Sequence, residues 1–160
     1  MSVIIRPIRE ADVEAVAVLS LRAWEPVFQS FEQVLGAEIY LKIYPDWRSQ
    51  QRAAVEAICR AVGVTVLVAE AEGVVAGFIS YKLDMEAKTG EVEYLAVDPA
   101  YQKRGIGTGL NTFVLDAMKT QGIELAEVGT GGDPGHAPAR RAYEKAGYIP
   151  LPIVRYYKRL

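Results

Sequence analysis

Cysteine and histidine are almost absent: the chain carries one of each in 160 residues. A lone cysteine, Cys59, excludes an intrachain disulfide framework and any zinc site built from several thiolates. Cys59 lies among Ala57, Ile58 and Val62 on a helical pattern. With a single imidazole in the whole chain there is little to activate it, so it reads as a small buried hydrophobe rather than a nucleophile. Long apolar runs are missing too. No stretch approaches the roughly 18 residues of a membrane span. The opening MSVIIRPIREAD places charges where a signal peptide needs an apolar core. The expectation is a cytoplasmic chain with no membrane partner. Neither sign of charge dominates, because 18 Lys+Arg against 20 Asp+Glu leave a net charge of −2. That balance argues against a nucleic-acid module held by bulk charge.

What is present is an ordinary globular composition, 51% hydrophobic and 24% charged. The length suits one domain over residues 1–160, able to fold without metal or disulfide. Val3–Ile8 reads as a strand. Asp12 can cap a helix with Val13, Val16, Leu19 and Ala23 at helical spacing, closed at Pro26. Residues 30–44 carry a second helical stripe interrupted at Gly36 and stopped by Pro45. Asp46 caps a third helix to about Val62, with Ala54, Ile58 and Ala61 inward.

From Val64 the period changes to two. VTVLVAE and VVAGFISYKL flank a turn at Gly73 and predict a β-hairpin. EVEYLAV, Glu91–Val97, is the next strand. A helix follows over Gly105–Thr120, ended by Gly122 in the left-handed region. Then come a strand at Ile123–Val128, the loop GTGGDPG, a short helix over Pro138–Ala146, and a last extended stretch, Tyr148–Lys158, broken by Pro150 and Pro152. The order β-α-α-α-β-β-β-α-β-α-β is a mixed α/β fold, largely antiparallel, with one right-handed crossover from Glu91 to Val128.

The chemistry sits in YLAVDPAYQKRGIGTGL. A strand turns into a helix whose first turn holds Gly105, Gly107 and Gly109. Helix N-termini leave about four N–H groups unpaired and carry roughly half a positive charge. Glycines let an anion approach them, and Lys103 and Arg104 add cationic reach. The alternative is a helix start made of glycine for tight packing. The dinucleotide fingerprint fails at Leu110, where its third glycine belongs, and the same residue breaks the P-loop pattern.

QKRGIG, Gln102–Gly107, resembles the [QR]-x-x-G-x-[GA] acetyl-CoA signature of the GCN5-related N-acetyltransferase (GNAT) superfamily. The flanking LAVDP and the downstream Ala139–Tyr148, with Tyr143, Gly147 and Tyr148, extend the likeness over nearly the whole chain, as does the order of elements. The resemblance implies a splayed strand pair forming an acetyl-CoA cleft. It implies that the pantetheine arm pairs with the backbone of Leu95, Ala96 and Val97. The pyrophosphate would lie on Gln102, Lys103, Arg104, Gly105, Ile106, Gly107 and Thr108. Tyr143 would protonate the departing thiolate. His136 falls where the family usually has an asparagine touching pantetheine, which is a departure.

An ammonium with a pKa near 10 cannot attack a thioester, so transfer to an amine needs a proton acceptor. Glu91 and Glu93 alternate with Leu95 and Val97 and supply candidates on one strand face. Glu127 and His136 are further ones. Trp24, Phe28, Tyr40, Tyr44 and Trp47 suggest an aromatic wall for a cationic acceptor. The resemblance implies an acetyl-CoA-dependent N-acetyltransferase, without a metal, acting on a small primary amine. The alternatives are a protein N-terminus or lysine as acceptor, or a CoA-binding sensor without turnover. A homodimer paired through VRYYKRL is a further expectation.

Overall fold

The computed structural model describes residues 1–160. Five strands, β1 (Val3–Pro7), β2 (Val64–Ala71), β3 (Val74–Asp84), β4 (Thr89–Val97) and β5 (Leu125–Val128), form one sheet in sequential order. The first three pairings are antiparallel; β4 and β5 run parallel. Three helices precede β2: α1 (Val13–Leu35), α2 (Ala37–Ile43) and α3 (Trp47–Arg60). The crossover helix α4 (Ile106–Thr120) joins β4 to β5, and α5 (Ala137–Lys145) follows β5.

Period-two alternation sends successive strand residues to opposite faces. On one face Val66, Val68, Phe78 and Ala96 pack against Val16 and Leu19 of α1 and Val55 of α3. On the other, Leu67, Ile79, Tyr81 and Val92 meet Ile106, Leu110, Val114 and Met118 of α4. A third cluster, Phe28, Tyr40 and Trp47, joins α1, α2 and α3. Burying each such side chain is worth about 1.5–3 kcal/mol, and the sheet with its two helical layers therefore holds most of the stability. Gly77 sits where a Cβ would lie 2.9 Å from the Ala96 carbonyl and 3.3 Å from Ile106 and Leu110. Its bare Cα lets the first turn of α4 settle directly on β3 and β4.

The β2–β3 turn has positive φ at both Glu72 and Gly73, as a two-residue type I′ hairpin requires. The Asp46 side chain accepts the Ser49 N–H and caps α3. The inward stripe of α3 is shifted from expectation: Val55 is fully buried, whereas Ala61 is exposed.

Two boundaries also differ. Pro26 does not close α1, which continues nine residues beyond it to Leu35. Pro26 is on the exposed side, so the carbonyl it leaves without an amide partner can face water. Packing of Val16 and Leu19 before it, and of Phe28 after it, keeps the helix continuous. The second correction is the last stretch: residues 148–160 form neither strand nor helix. Pro150 and Pro152 each lack the N–H a ladder requires. No helix is long and apolar enough to cross a membrane.

Candidate active site at the β4–β5 split

β5 pairs with β4 only over Thr89–Val92 and then ends at Val128. β4 runs on to Val97, so Glu93–Val97 keeps β3 on one edge and has no strand on the other. A β-bulge falls at the same point. Tyr81 faces Val92 and Ser80 faces Tyr94, which leaves Glu93 without an opposite residue. The Ser80 hydroxyl accepts the Tyr94 N–H at 3.1 Å and stabilises the kink. A bulge bends its strand and increases local twist; here it falls where β5 stops pairing with β4.

The bulge corrects the expected facing of the glutamates. Val92, Leu95 and Val97 all pack toward α4, while Tyr94 and Ala96 pack toward α1. Glu91 and Glu93 share the side of Lys82, whose Nζ lies 3.2 Å from Glu91 and 3.7 Å from Glu93. They therefore stand opposite Leu95 and Val97, because the extra residue reverses the alternation. Glu127 is level with Glu91 on β5 and lines the same shallow cleft as Lys82 and Glu91.

Beyond Val97, the buried Asp98 accepts the Ala100 N–H at 2.9 Å and an ion pair from Arg22 of α1. The Gln102 side chain donates to the Val97 carbonyl at 3.1 Å and braces the strand end against the next turn. Lys103 has φ 62° and Gly105 φ 81°, the latter as the N-cap of α4. The first bond at this end of the helix runs from the Gly109 N–H to the Gly105 carbonyl at 2.9 Å. The N–H groups of Ile106, Gly107 and Thr108 have no protein partner. Tight packing does not account for the glycines. A Cβ at Gly107 would meet only Val97, at 3.5 Å, and one at Gly109 only Ile5, at 4.0 Å. Lys103 and Arg104 are exposed and form no ion pair; the Arg104 guanidinium lies 5.2 Å from the Tyr101 ring. Free N–H donors, a helix dipole and two cations without ion-pair partners are the parts an anion cradle needs, set beside the open edge of β4.

The other wall follows β5. Tyr143 on α5 is half-buried, edge-on to Tyr148 with ring centres 5.6 Å apart. Burial, with a smaller contribution from Tyr148, pushes its phenol up to about 12. It is thus protonated throughout the neutral range and competent to donate. His136 lies where the loop meets α5, its ring centre 5.5 Å from that of Phe31. Its Nδ1 donates to Asp133, whose carboxylate also accepts the Ser30 hydroxyl at 2.6 Å. Burial pushes the Asp133 carboxyl upward, but Ser30 and His136 outweigh it and hold it below the usual range. No hydrogen bond or ion pair links Tyr143 or His136 to Glu91, Glu93 or Glu127.

Of the expected aromatic wall, Phe28, Tyr40 and Trp47 are at most 8% exposed and belong to the core. Trp24, edge-on to Tyr94 at 5.8 Å, remains beside the split. Cys59 is half-buried, and desolvation raises its thiol to about 11, consistent with an inert thiol. Sequence reasoning missed Arg22, Ser30, Lys82, Asp133 and Arg140. Only Asp133 left a signal: the run Asp-Pro-Gly-His places a turn-forming carboxylate three residues before the lone histidine.

Residues 24–148 match the family model described as the acetyltransferase (GNAT) family. A mycothiol acetyltransferase of Beutenbergia cavernae is 36% identical over 72 residues, 45% of this chain and 24% of that protein. The matched region is thus about a quarter of that relative's length. Among solved structures, the PaiA N-acetyltransferase of Thermoplasma acidophilum in complex with coenzyme A superposes with a TM-score of 0.68 at 20% identity, covering 93% of this chain and 91% of that one. An aminoglycoside acetyltransferase from an uncultured soil metagenomic sample, in complex with sisomicin, gives 0.61 at 19% identity, covering 99% and 96%. The family match takes in the bulged strand, the glycine-started helix and Tyr143 alike, and on it the chain belongs to the GNAT family of acetyltransferases.

Proposed function

We propose that the chain transfers an acetyl group from acetyl-CoA to a primary amine of a small molecule, directly and in a ternary complex. The observation that carries this reading is the coincidence of the bulge at Glu93, the end of β5 and the unpaired N–H groups of Ile106–Thr108 on one edge of the sheet. In this reading the diphosphate of acetyl-CoA lies on the backbone from Gln102 to Thr108, with Lys103 and Arg104 outside it. The pantetheine arm runs along Leu95, Ala96 and Val97 as a substitute for the missing strand. The amine nitrogen bonds to the thioester carbonyl carbon, the C–S bond breaks, and the thiolate takes a proton from Tyr143. Orientation along one groove supplies part of the rate, and the proton donor a further ~10²–10⁴-fold.

The amine must also lose a proton. Glu93 and Glu91 beside the bulge, Glu127 on β5 and His136 just before α5 are the available acceptors. A small-molecule amine is supported by the family's fold neighbours, which include an aminoglycoside acetyltransferase. The reading includes a cytoplasmic chain, which suits a single free thiol. It also includes a homodimer through VRYYKRL, residues 154–160, which suits the exposure of Val154, Tyr156 and Leu160.

The test is thiol release from acetyl-CoA over a panel of polyamines, amino sugars, aralkylamines and N-terminal peptides. Saturable turnover with a small amine is the expected result. Turnover with peptides alone moves the acceptor to protein. Calorimetric binding of acetyl-CoA with no turnover on any amine makes the protein a sensor and overturns the reading.

A further inference from the structure

The lone histidine is held by a chain of side chains that ordinary loop packing does not require. Its Nδ1 donates to one oxygen of Asp133. The other oxygen accepts from the Ser30 hydroxyl at 2.6 Å and the Gly135 N–H at 3.0 Å. Arg140 clamps the loop from α5, donating to the carbonyls of Gly131 and Asp133, both at 2.7 Å. The loop's glycines fit this arrangement. A Cβ at Gly135 would lie 2.6 Å from Cβ of Ser30, and one at Gly131 would collide with the Asp133 carboxylate and the His136 ring. His136 and Asp133 are only 15% and 11% exposed. Yet Nε2 bonds to no protein atom and is not among the fully enclosed unpartnered atoms, so it reaches accessible space.

A carboxylate on Nδ1–H fixes the tautomer that leaves the Nε2 lone pair free, the arrangement of an oriented base. Helix α1 joins the two. Its Trp24 touches Tyr94 beside the bulge, and its Phe31 touches His136. Seven residues, about two turns, separate Trp24 from Phe31, so both contacts leave from one face of the helix. The strand carboxylates are poorer acceptors. Glu91 and Glu93 share the Lys82 ammonium, and ordinary carboxylates lie about six pH units below an amine, against about four for imidazole.

We propose that His136 takes the acceptor amine's proton through Nε2, and that Asp133, held by Ser30, is the positioning residue for its ring. This rests on the amine-acetylation reading above. As the C–N bond forms and the C–S bond breaks, the amine N–H proton passes to Nε2 and then to solvent. The thiolate is protonated separately. Of the titratable and charged groups, Asp133 bonds the ring and Arg140 of α5 bonds the same loop; Tyr44, just past α2, interacts with Asp133 and with Arg155 and Tyr157 of the C-terminal stretch. Ser30 and Phe31, its contacts on α1, do not titrate in the working range.

A single histidine makes the test direct, because every imidazole resonance belongs to His136. In long-range proton–nitrogen spectra of the wild-type protein at high pH, the expected form carries its proton on Nδ1. The Nε2–H tautomer overturns the proposal whatever the activity. With the best amine, His136→Gln should lower kcat by ~10²–10⁴-fold and leave acetyl-CoA affinity by calorimetry within about twofold. The acidic limb of kcat/KM should coincide with the imidazole titration. Asp133→Asn should shift both together to lower pH, and Ser30→Ala, which leaves the carboxylate in place, should move them less. Unchanged turnover in His136→Gln, or an acidic limb that stays fixed in Asp133→Asn but disappears in Glu93→Gln, overturns the assignment and leaves amine acetylation standing. Loss of acetyl-CoA affinity without loss of kcat makes His136 a pantetheine contact instead. A wild-type protein without turnover on any amine fails the wider reading, and this one with it. Circular dichroism confirms that the variants fold; if His136→Gln does not, the tautomer and the Asp133→Asn and Ser30→Ala pH shifts decide.

Discussion

The two walls of the split are built differently. The β4 wall belongs to a sheet clamped between α4 and the α1–α3 layer, with Val68, Phe78, Ile79, Val92, Leu110 and Val114 at most 2% exposed. The wall after β5 has no fully buried residue from Leu125 to Leu160. It is held by polar contacts: Asp133 to Ser30, Arg140 to loop carbonyls, and a four-residue parallel ladder. Cores resist local opening, while segments with few apolar contacts open at low free energy. On the proposed reading, the rigid wall holds the cosubstrate's diphosphate on fixed donors, and the polar-fastened wall carries the acid, the base and the acceptor and can open for exchange.

That contrast can be broken most decisively at Tyr143. Tyr143→Phe should lower turnover by ~10²–10⁴-fold with acetyl-CoA affinity unchanged, since only the proton is removed. Equal turnover in the two proteins removes it as the acid. Next is stability. Leu110→Ala, in the clamped wall, should cost about 2–5 kcal/mol in urea unfolding. Ile153→Ala, 82% exposed, should cost under about 0.5 kcal/mol. A large loss at Ile153 would mean that the tail is buried in solution, as a dimer through it requires.

Gly107→Val should weaken acetyl-CoA binding roughly tenfold or more with the melting temperature little changed. Its Cβ has room within the protein and obstructs only a ligand. Unchanged affinity would count against the cradle.

The smallest effect is acid sensitivity of the clamped wall. Asp12 ties β1 to the start of α1 through Arg6, at 2.7 Å, and that bond above all holds its carboxyl below the usual range. A depressed carboxyl contributes stability that is complete above its unfolded value near 4 and is lost as pH falls through the folded value. Urea midpoints should therefore fall between pH 5 and 3, less steeply in Asp12→Asn. A parallel fall in both proteins would place the acid sensitivity elsewhere.

Much of this was legible residue by residue. Period-two runs marked β2, β3 and β4, and the glycines of Gln102–Gly109 marked the helix start that matters. Pro26 misled, because local chain chemistry favours a break there while burial on both sides of it favours continuity. Glu91 and Glu93 misled because alternation is a rule for regular strands, and one inserted residue at Glu93 reverses it.

The linear pattern of apolar residues, turns and glycines was enough to establish a helix-covered mixed sheet and a glycine-started helix with free N–H groups, since both follow from forces acting within a few residues. Only the folded chain decided where the sheet opens, which carboxylates are ion-paired and which side chain orients the one imidazole. Those depend on partners such as Ser30 and Asp133, 103 positions apart, whose meeting is set by the packing of α1 and by no local rule.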